Sequence, residues 1–430
     1  MKLNYKRTFL VGLAFFSICA FWQLYDAVIP LMLRDTFGLG DSIAGFIMAL
    51  DNILALFMLP LFGILSDKAG KRMPFIIFGT AVSVIMTVMI PITDTNESLF
   101  YFFIALGLLL ISMGTYRSPA VSLMPDVTPK PLRSKANAII NLMGAFGGIF
   151  TLGVMTFLAK EPEDGSKINY LPVFLVVALC MAVAVVLLVI FVKERKLRQE
   201  MEKINYGVTP EEDQASKITE SGKEKLSPAA FRSLVFILIS VSLWFMGYNA
   251  VTTAFTKYAT QQWGHDVSGA STCLLVATAG AVLSYVPVGM LSSKFGRKRM
   301  IQFGIILLSG CFAVGALVAN TFHPALYFMF ALVGFAWASI NVNSYPMVVE
   351  LSKGSNIGKY TGYYYTFSMA AQIVTPIVSG ALLQFVGYWT LFPYAAILVA
   401  LAFITITLTR HGDNKPGKLT SKLEAFDTQD

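Results

Sequence analysis

The sequence predicts an all-α integral membrane protein, with twelve transmembrane helices in two pseudo-symmetric bundles of six. Three observations predict it. The 430 residues are 56% hydrophobic and only 13% charged, where a soluble domain is about a quarter charged. Apolar runs long enough to cross a bilayer, about 20 residues each, recur twelve times. Six runs precede and six follow residues 193–225, where sixteen of thirty-three positions are charged.

Span 1, at 8–33, follows Lys2, Lys6 and Arg7. It is too long for the apolar core of a signal peptide and holds Trp22, Gln23 and Asp26, so it is expected to remain a span. Span 2 (43–65) carries Asp51 and Asn52, and span 3 (74–93) has no charge. Span 4 (99–125) contains Arg117. Span 5 (137–159) sets Asn137 and Asn141 one turn apart beside Gly144, Gly147 and Gly148. That composition suits ligands and, slightly better, a close-packed helix seam. Span 6 (170–192) is apolar all round.

Span 7 (231–256) holds Tyr248 and Asn249, span 8 (268–292) is uncharged, and span 9 (300–320) has Gln302 near one end. Span 10 (324–350) brings Trp337, Asn341 and Asn343, and span 11 (360–385) brings Tyr363 to Tyr365 and Gln372. Span 12 (388–409) closes the series. The expected organisation is a bundle over 1–192, a charged linker over 193–229, a second bundle over 230–410 and a tail over 411–430. Part of the linker is expected to be helical and part disordered.

The net charge of +8 is explained by its distribution. With both termini placed in the cytoplasm, 28 of the 33 Lys and Arg lie in cytoplasmic tails and loops. Only Arg34, Lys160, Lys167 and Lys257 fall outside, and Arg117 lies within a span. This is the asymmetry that orients membrane proteins, so no nucleic-acid partner is needed. Cys19, Cys180, Cys273 and Cys311 all sit in apolar runs with no disulfide or metal spacing, and no metal or cofactor is expected.

The halves repeat one another. Gly63-x-x-x-Asp67-Lys68-x-Gly70-Lys71-Arg72 returns 226 residues later as Gly289-x-x-x-Ser293-Lys294-x-Gly296-Arg297-Lys298. "YFFIAL" at Tyr101 returns as "YFMFAL" at Tyr327, and "YDAV" at Tyr25 as "YNAV" at Tyr248. Two bundles around a central path is the plan of alternating-access carriers. In the first loop the glycines permit close approach and a sharp turn. Asp67 can cap a helix end or pair with a cation of a neighbouring span, latching the cytoplasmic side. Lys68, Lys71 and Arg72 suit the anionic inner leaflet. Asp126 and Glu350, at the inner ends of spans 4 and 10, suit capping or gating. Ser293 in place of Asp67 makes the second copy a weaker latch.

The ten-position loop from Gly63 to Arg72, together with the twelve-span layout, resembles the signature of the major facilitator superfamily over the whole chain. "GILSDKAGKRMPFI" (Gly63–Ile76), "RSPAVSLMPDVTP" (Arg117–Pro129) and "ANAIINLMG" are similar to the glycoside–pentoside–hexuronide cation symporters, in their sucrose-transporter-like branch. The resemblance implies that spans 1, 4, 7 and 10 line a cavity while 3, 6, 9 and 12 stand outside. Polarity sorts the spans the same way: 3, 6, 9 and 12 carry no charge and almost no amide, Gln302 being the main exception. Two departures stand out. Melibiose-type members carry paired acids before a span 2 proline; here Ala55 and Leu59 precede Pro60 and the nearest acid is Asp51, which favours protons over sodium. Sucrose-type members tend to have an arginine near the position of Val121, one turn from Arg117.

Intramembrane charge is expensive and marks function. Asp26 lies about 12 Å from the outer end of span 1, and Asp51 and Arg117 each lie about 14 Å from an end of theirs, at 1.5 Å per residue. In the repeat they correspond to Asn249, Ala277 and Asn343, so the charges are additions to a common frame. A proton-coupled carrier needs a carboxylate whose proton affinity changes as the site dries; burial disfavours the charged form and a nearby cation restores it. Asp26 and Asp51 are the candidates, with Arg117 as the releasing charge. Trp22, Gln23, Tyr25, Tyr248, Asn249, Trp337, Asn341, Asn343, Tyr364 and Gln372 offer the amides, hydroxyls and flat rings that bind sugars; the tryptophans and tyrosines also suit membrane-interface belts. No phosphate-cradling loop or nucleophile–histidine pair appears, so an enzyme is not expected. The expectation is a monomer in a bacterial plasma membrane, carrying a glycoside or disaccharide with protons. The alternatives are a proton-driven exporter of drugs or metabolites, and a sensor or scramblase on the same fold.

Overall fold

The computed structural model describes residues 3–129, 133–160, 167–206, 227–264, 267–351 and 357–412. In chain order the helices are α1 (Tyr5–Asp35), α2 (Asp41–Ala69), α3 (Met73–Thr95), α4 (Leu99–Asp126), α5 (Arg133–Leu158) and α6 (Leu171–Phe191). After α7 (Glu194–Tyr206) come α8 (Pro228–Trp263), α9 (Val267–Phe295), α10 (Arg297–Val318), α11 (Ala325–Glu350), α12 (Ile357–Phe385) and α13 (Leu391–Leu408). Twelve of them are long and apolar enough to cross a membrane, so the protein is a multi-pass membrane protein. The helical part of the expected linker is α7; residues 207–226 and the tail from 413 lie outside the described residues.

The element ends follow from local chemistry. Asn4 caps α1, its Oδ1 accepting from the Arg7 N–H at 3.1 Å, and the Ser227 hydroxyl caps α8 by accepting from the Ala230 N–H at 3.2 Å. Gly70 ends α2 at φ 64° and Gly296 separates α9 from α10 at φ 93°. Both take backbone conformations that side chains disfavour, which is why the repeated motif keeps glycine at that position.

Packing repeats as the sequence does. In the first six spans α1 packs on α5 and α6, α3 on α4 and α6, and α2 on α4. Each pairing recurs in the second six: α8 on α12 and α13, α10 on α11 and α13, and α9 on α11. Each half has its own apolar core. One is built around Phe21, Phe102, Tyr116 and Phe174, the other around Trp244, Phe255, Phe312 and Phe392. The halves meet through α2 with α12, α5 with α9, and α1 with α8, contacts related by the same pseudo-two-fold. At the α2–α12 crossing a Cβ on Gly45 would run into the Pro376 carbonyl, and one on Gly380 into that of Asp41. These backbones touch directly.

One placement differs from the hydropathy reading. Span 7, predicted to end at 256, continues helically to Trp263. Lys257, expected in the loop beyond the end of span 7, lies buried inside α8. The last turns are too polar for a hydropathy window yet helical in character, and Gly264 at φ 72° stops them.

Candidate functional site

At the face away from the N-terminus the bundles are bound by charge. Lys257 of α8 reaches across to Asp41 at the start of α2, Nζ to Oδ1 2.8 Å. The Tyr388 hydroxyl donates to the other Asp41 oxygen at 2.7 Å. Lys257 and Asp41 are 4% and 6% exposed, so this is a desolvated pair. Arg34 of α1 donates to the Thr260 hydroxyl at 3.0 Å and is held by Asp35 at 2.6 Å. The Ser42 N–H donates to Gln384 Oε1 at 2.8 Å, and the Ser268 hydroxyl donates to the Thr156 carbonyl at 2.7 Å.

Below this layer, between the bundles, lies a cavity of about 420 Å³. From α1 it receives Trp22, Gln23 and Asp26, which share one face because residues 22, 23 and 26 fall together on a 3.6-residue turn. Asp51 and Asn52 enter from α2, Arg117 from α4, Asn141 from α5, Asn249 and Thr253 from α8, and Gln372 from α12. The Arg117 guanidinium lies over the Trp22 ring, 5.7 Å from its centroid. Asn52 Nδ2 donates to Asp51 Oδ1 at 2.9 Å. Among the described residues neither the Asp26 carboxylate nor the Arg117 guanidinium has an ion-pair partner. Asn249 Nδ2 and Trp22 Nε1 are buried there without a hydrogen-bond partner among the described residues. Two acids, one cation, several amides and a flat ring face one hollow. That set can hold a polar solute and can exchange protons.

The other sequence candidates lie elsewhere in this conformation. Tyr25 is buried behind Trp22, its ring edge-on at 5.3 Å; one residue from Asp26 is a 100° rotation away from the hollow. Tyr248 stacks on Trp337 at 3.8 Å within the second bundle. Asn343 donates to the Ser339 carbonyl of its own helix at 2.9 Å, and the Asn341 carbonyl accepts from Ser344. The Tyr364 hydroxyl meets Ser344 Oγ at 2.9 Å. These groups belong to the packing between α11 and its neighbours. Reading the sequence did not single out Thr253, Thr278 and Tyr285, which also line the cavity. Nor did it single out Asp41, the partner of Lys257; a pair joined across two hundred residues leaves no local signal.

The Gly63–Arg72 motif forms a cluster inside the first bundle. Arg72 pairs with Asp67 of its own turn and, through Nε at 3.0 Å, with Asp126 at the end of α4. It also donates to the Ser66 hydroxyl at 2.5 Å. Burial opposes its charge, but Asp126 and Asp67 hold the Arg72 guanidinium above its ordinary range. Glu194 of α7 caps α3, accepting from the Arg72 N–H at 2.5 Å and the Met73 N–H at 2.9 Å. Lys68 is exposed and Lys71 partly so. In the second copy Arg297 pairs with Glu350. Among the described residues Ser293, the counterpart of Asp67, bonds to the Met290 carbonyl of its own helix at 2.7 Å and to no cation. Lys298, the counterpart of Arg72, donates instead to the carbonyls of Thr407 and Thr409 at 2.9 and 2.6 Å.

Comparison with known proteins finds transporters among those this chain resembles. The model of the Major Facilitator Superfamily matches residues 11–282 and 237–428. Multidrug resistance protein 2 of Bacillus subtilis (strain 168) is 24% identical over 420 residues, 96% of this chain and 98% of that one. The class H tetracycline resistance protein of Pasteurella multocida is 24% identical over 391 residues, 88% and 90% of the two chains. Among solved structures, a mutant of the nucleoside transporter NupG superposes with a TM-score of 0.70 at 16% identity, covering 94% of this chain and 100% of that one. A bacterial homologue of the human drug peptide transporters PepT1 and PepT2 gives 0.66 at 12% identity, covering 95% and 98%.

Proposed function

Since the chain belongs to the major facilitator superfamily, and is therefore a secondary transporter and not an enzyme, we propose that it couples protons to the uptake of a glycoside or disaccharide by alternating access. The observation that carries this reading is the shared hollow: Asp26 and Arg117 both line it, and neither is tied to another charge among the described residues. An acid without a partner can take and release a proton as the cavity changes its exposure. The amides Gln23, Asn141, Asn249 and Gln372 suit hydroxyl groups, and Trp22 suits the apolar face of a sugar ring. The volume is within the roughly 300–1,000 Å³ of small-molecule sites.

The distribution of Lys and Arg supports an orientation with both termini in the cytoplasm. The Lys257–Asp41 layer then closes the outside, and solute leaves inward past the Asp67–Arg72–Asp126 cluster. Opening that layer exposes Asp26 and Asp51 to external protons. The relatives' resistance names favour a second reading, proton-driven export through the same acids. Proteoliposomes tested with a panel of glycosides and of lipophilic cations separate the two. Uptake predicts that a sugar added outside makes the external medium alkaline and accumulates inside under an inward proton gradient. Glycosides that move no protons, with cations that do, would replace uptake by export.

A further inference from the structure

On the face bearing the motif, a groove of about 450 Å³ lies between the α2–α3 turn and the joint of α6 with α7. Its floor is apolar: Met73, Pro74 and Val192. Around it stand four cations, Lys71, Lys193, Arg195 and Lys196. The one acid in the wall, Glu194, is buried and has both oxygens engaged by the α3 amides. Among the described residues none of the four cations has an ion-pair partner. Topological bias explains cations on this side of the membrane; it does not explain four of them converging on an apolar floor whose acid is used elsewhere. One turn or less along the same helices stand exposed apolar side chains, Ile77 and Phe78 on α3 and Ile190 and Phe191 on α6.

We propose that this groove binds one anionic phospholipid, its phosphate among the four cations and its glycerol and first methylenes on Met73, Pro74 and Val192. The chemistry selects that occupant. A free phosphate would meet the cations but leave the floor wet, whereas a phosphocholine lipid would bring its own cation among four others. A lipid seated there joins the start of α3 to α7, the same two elements that Glu194 clasps. It also neutralises the charge crowded beside Arg72, and so steadies the Asp67–Arg72–Asp126 cluster. The inference is independent of the transported solute and of the coupling ion.

The test uses the full chain, delipidated in neutral detergent, and follows native mass spectra and thermal unfolding with three probes: short-chain phosphatidylglycerol, the matching phosphatidylcholine, and inorganic phosphate. Phosphatidylglycerol is expected to be retained at one molecule per chain and to raise the melting temperature, with neither effect from the other two. Each cation removed should weaken retention roughly fivefold. Lys193→Gln with Lys196→Gln therefore loses about twenty-five-fold, while Lys160→Gln on the far face changes nothing. Equal retention of phosphatidylcholine overturns the proposal, as does undiminished retention by the double variant. A full thermal shift from inorganic phosphate alone also overturns it, in favour of a free-anion site. Should the double variant fail to fold, the comparison of the two lipids on the native chain decides the matter by itself.

Discussion

Replacing Lys257 by methionine should open the face of the protein away from its N-terminus. The methionine keeps most of the side-chain volume and removes the ammonium that meets Asp41 at 2.8 Å. While the bundles are closed there, Asp41 is 6% exposed, so its carboxylate is left buried with, among the described residues, the Tyr388 hydroxyl alone bonded to it. Breaking a buried pair from one side costs about 3–5 kcal/mol. Opening relieves the loss, because water then solvates the carboxylate. The closed-to-open ratio should fall by roughly two to four powers of ten, tempered by the remaining Arg34–Thr260 and Ser42–Gln384 contacts. The assay is a spin-label distance between Asn96 and Thr321, exposed positions on far-face turns of the first and second bundles, with the four native cysteines replaced. The distance distribution should shift to longer values in Lys257→Met. It should return towards the short value when Asp41→Asn is added, since the buried charge is then gone. An unchanged distribution in the single variant would refute the reasoning, as would a double variant indistinguishable from the single.

Three further outcomes are expected. Asp26→Asn should abolish uphill accumulation in proteoliposomes while leaving solute counterflow measurable; intact accumulation would pass the proton role to Asp51. Arg117→Ala should reduce transport at least about tenfold more than Asn343→Ala, because Arg117 faces the cavity and Asn343 bonds its own helix; equal losses would contradict the asymmetry between the halves. Glu194→Ala should lower thermal stability by about 1–2 kcal/mol, the loss of a helix cap, read as a drop in melting temperature, with Glu194→Gln in between; no drop would show that the carboxylate does not hold α3.

The helices were legible because lipid enforces long apolar runs, and each of the twelve is one continuous stretch of sequence. Ends were less so: the last turns of α8 contain Lys257, Thr260, Gln261 and Gln262, polar enough to read as loop although Lys257 and Thr260 reach the other bundle. Within the site, the residues that the structure places on the cavity wall, Trp22, Gln23, Asp26, Asp51, Arg117, Asn249 and Gln372, are mostly the intramembrane polar groups. Hydrocarbon makes such groups conspicuous. Aromatic candidates were harder to place, since a tyrosine is equally at home in a bundle core. The rotation of a helix decides between the two, and it depends on neighbours that one span cannot reveal: Tyr25 and Asp26 are adjacent in sequence and point apart. Pairings across the bundles, such as Lys257 with Asp41, depend on the assembled fold.

The contact of Gly45 with the Pro376 carbonyl, and of Gly380 with that of Asp41, bears on how fast the molecule can cycle. Where two helices touch by bare main chain, no knob has to leave a hole when they part, and no torsion must be searched when they rejoin. Much of the friction of parting two packed helices is thereby missing at this seam, and the slow step in opening falls to the charges beside it.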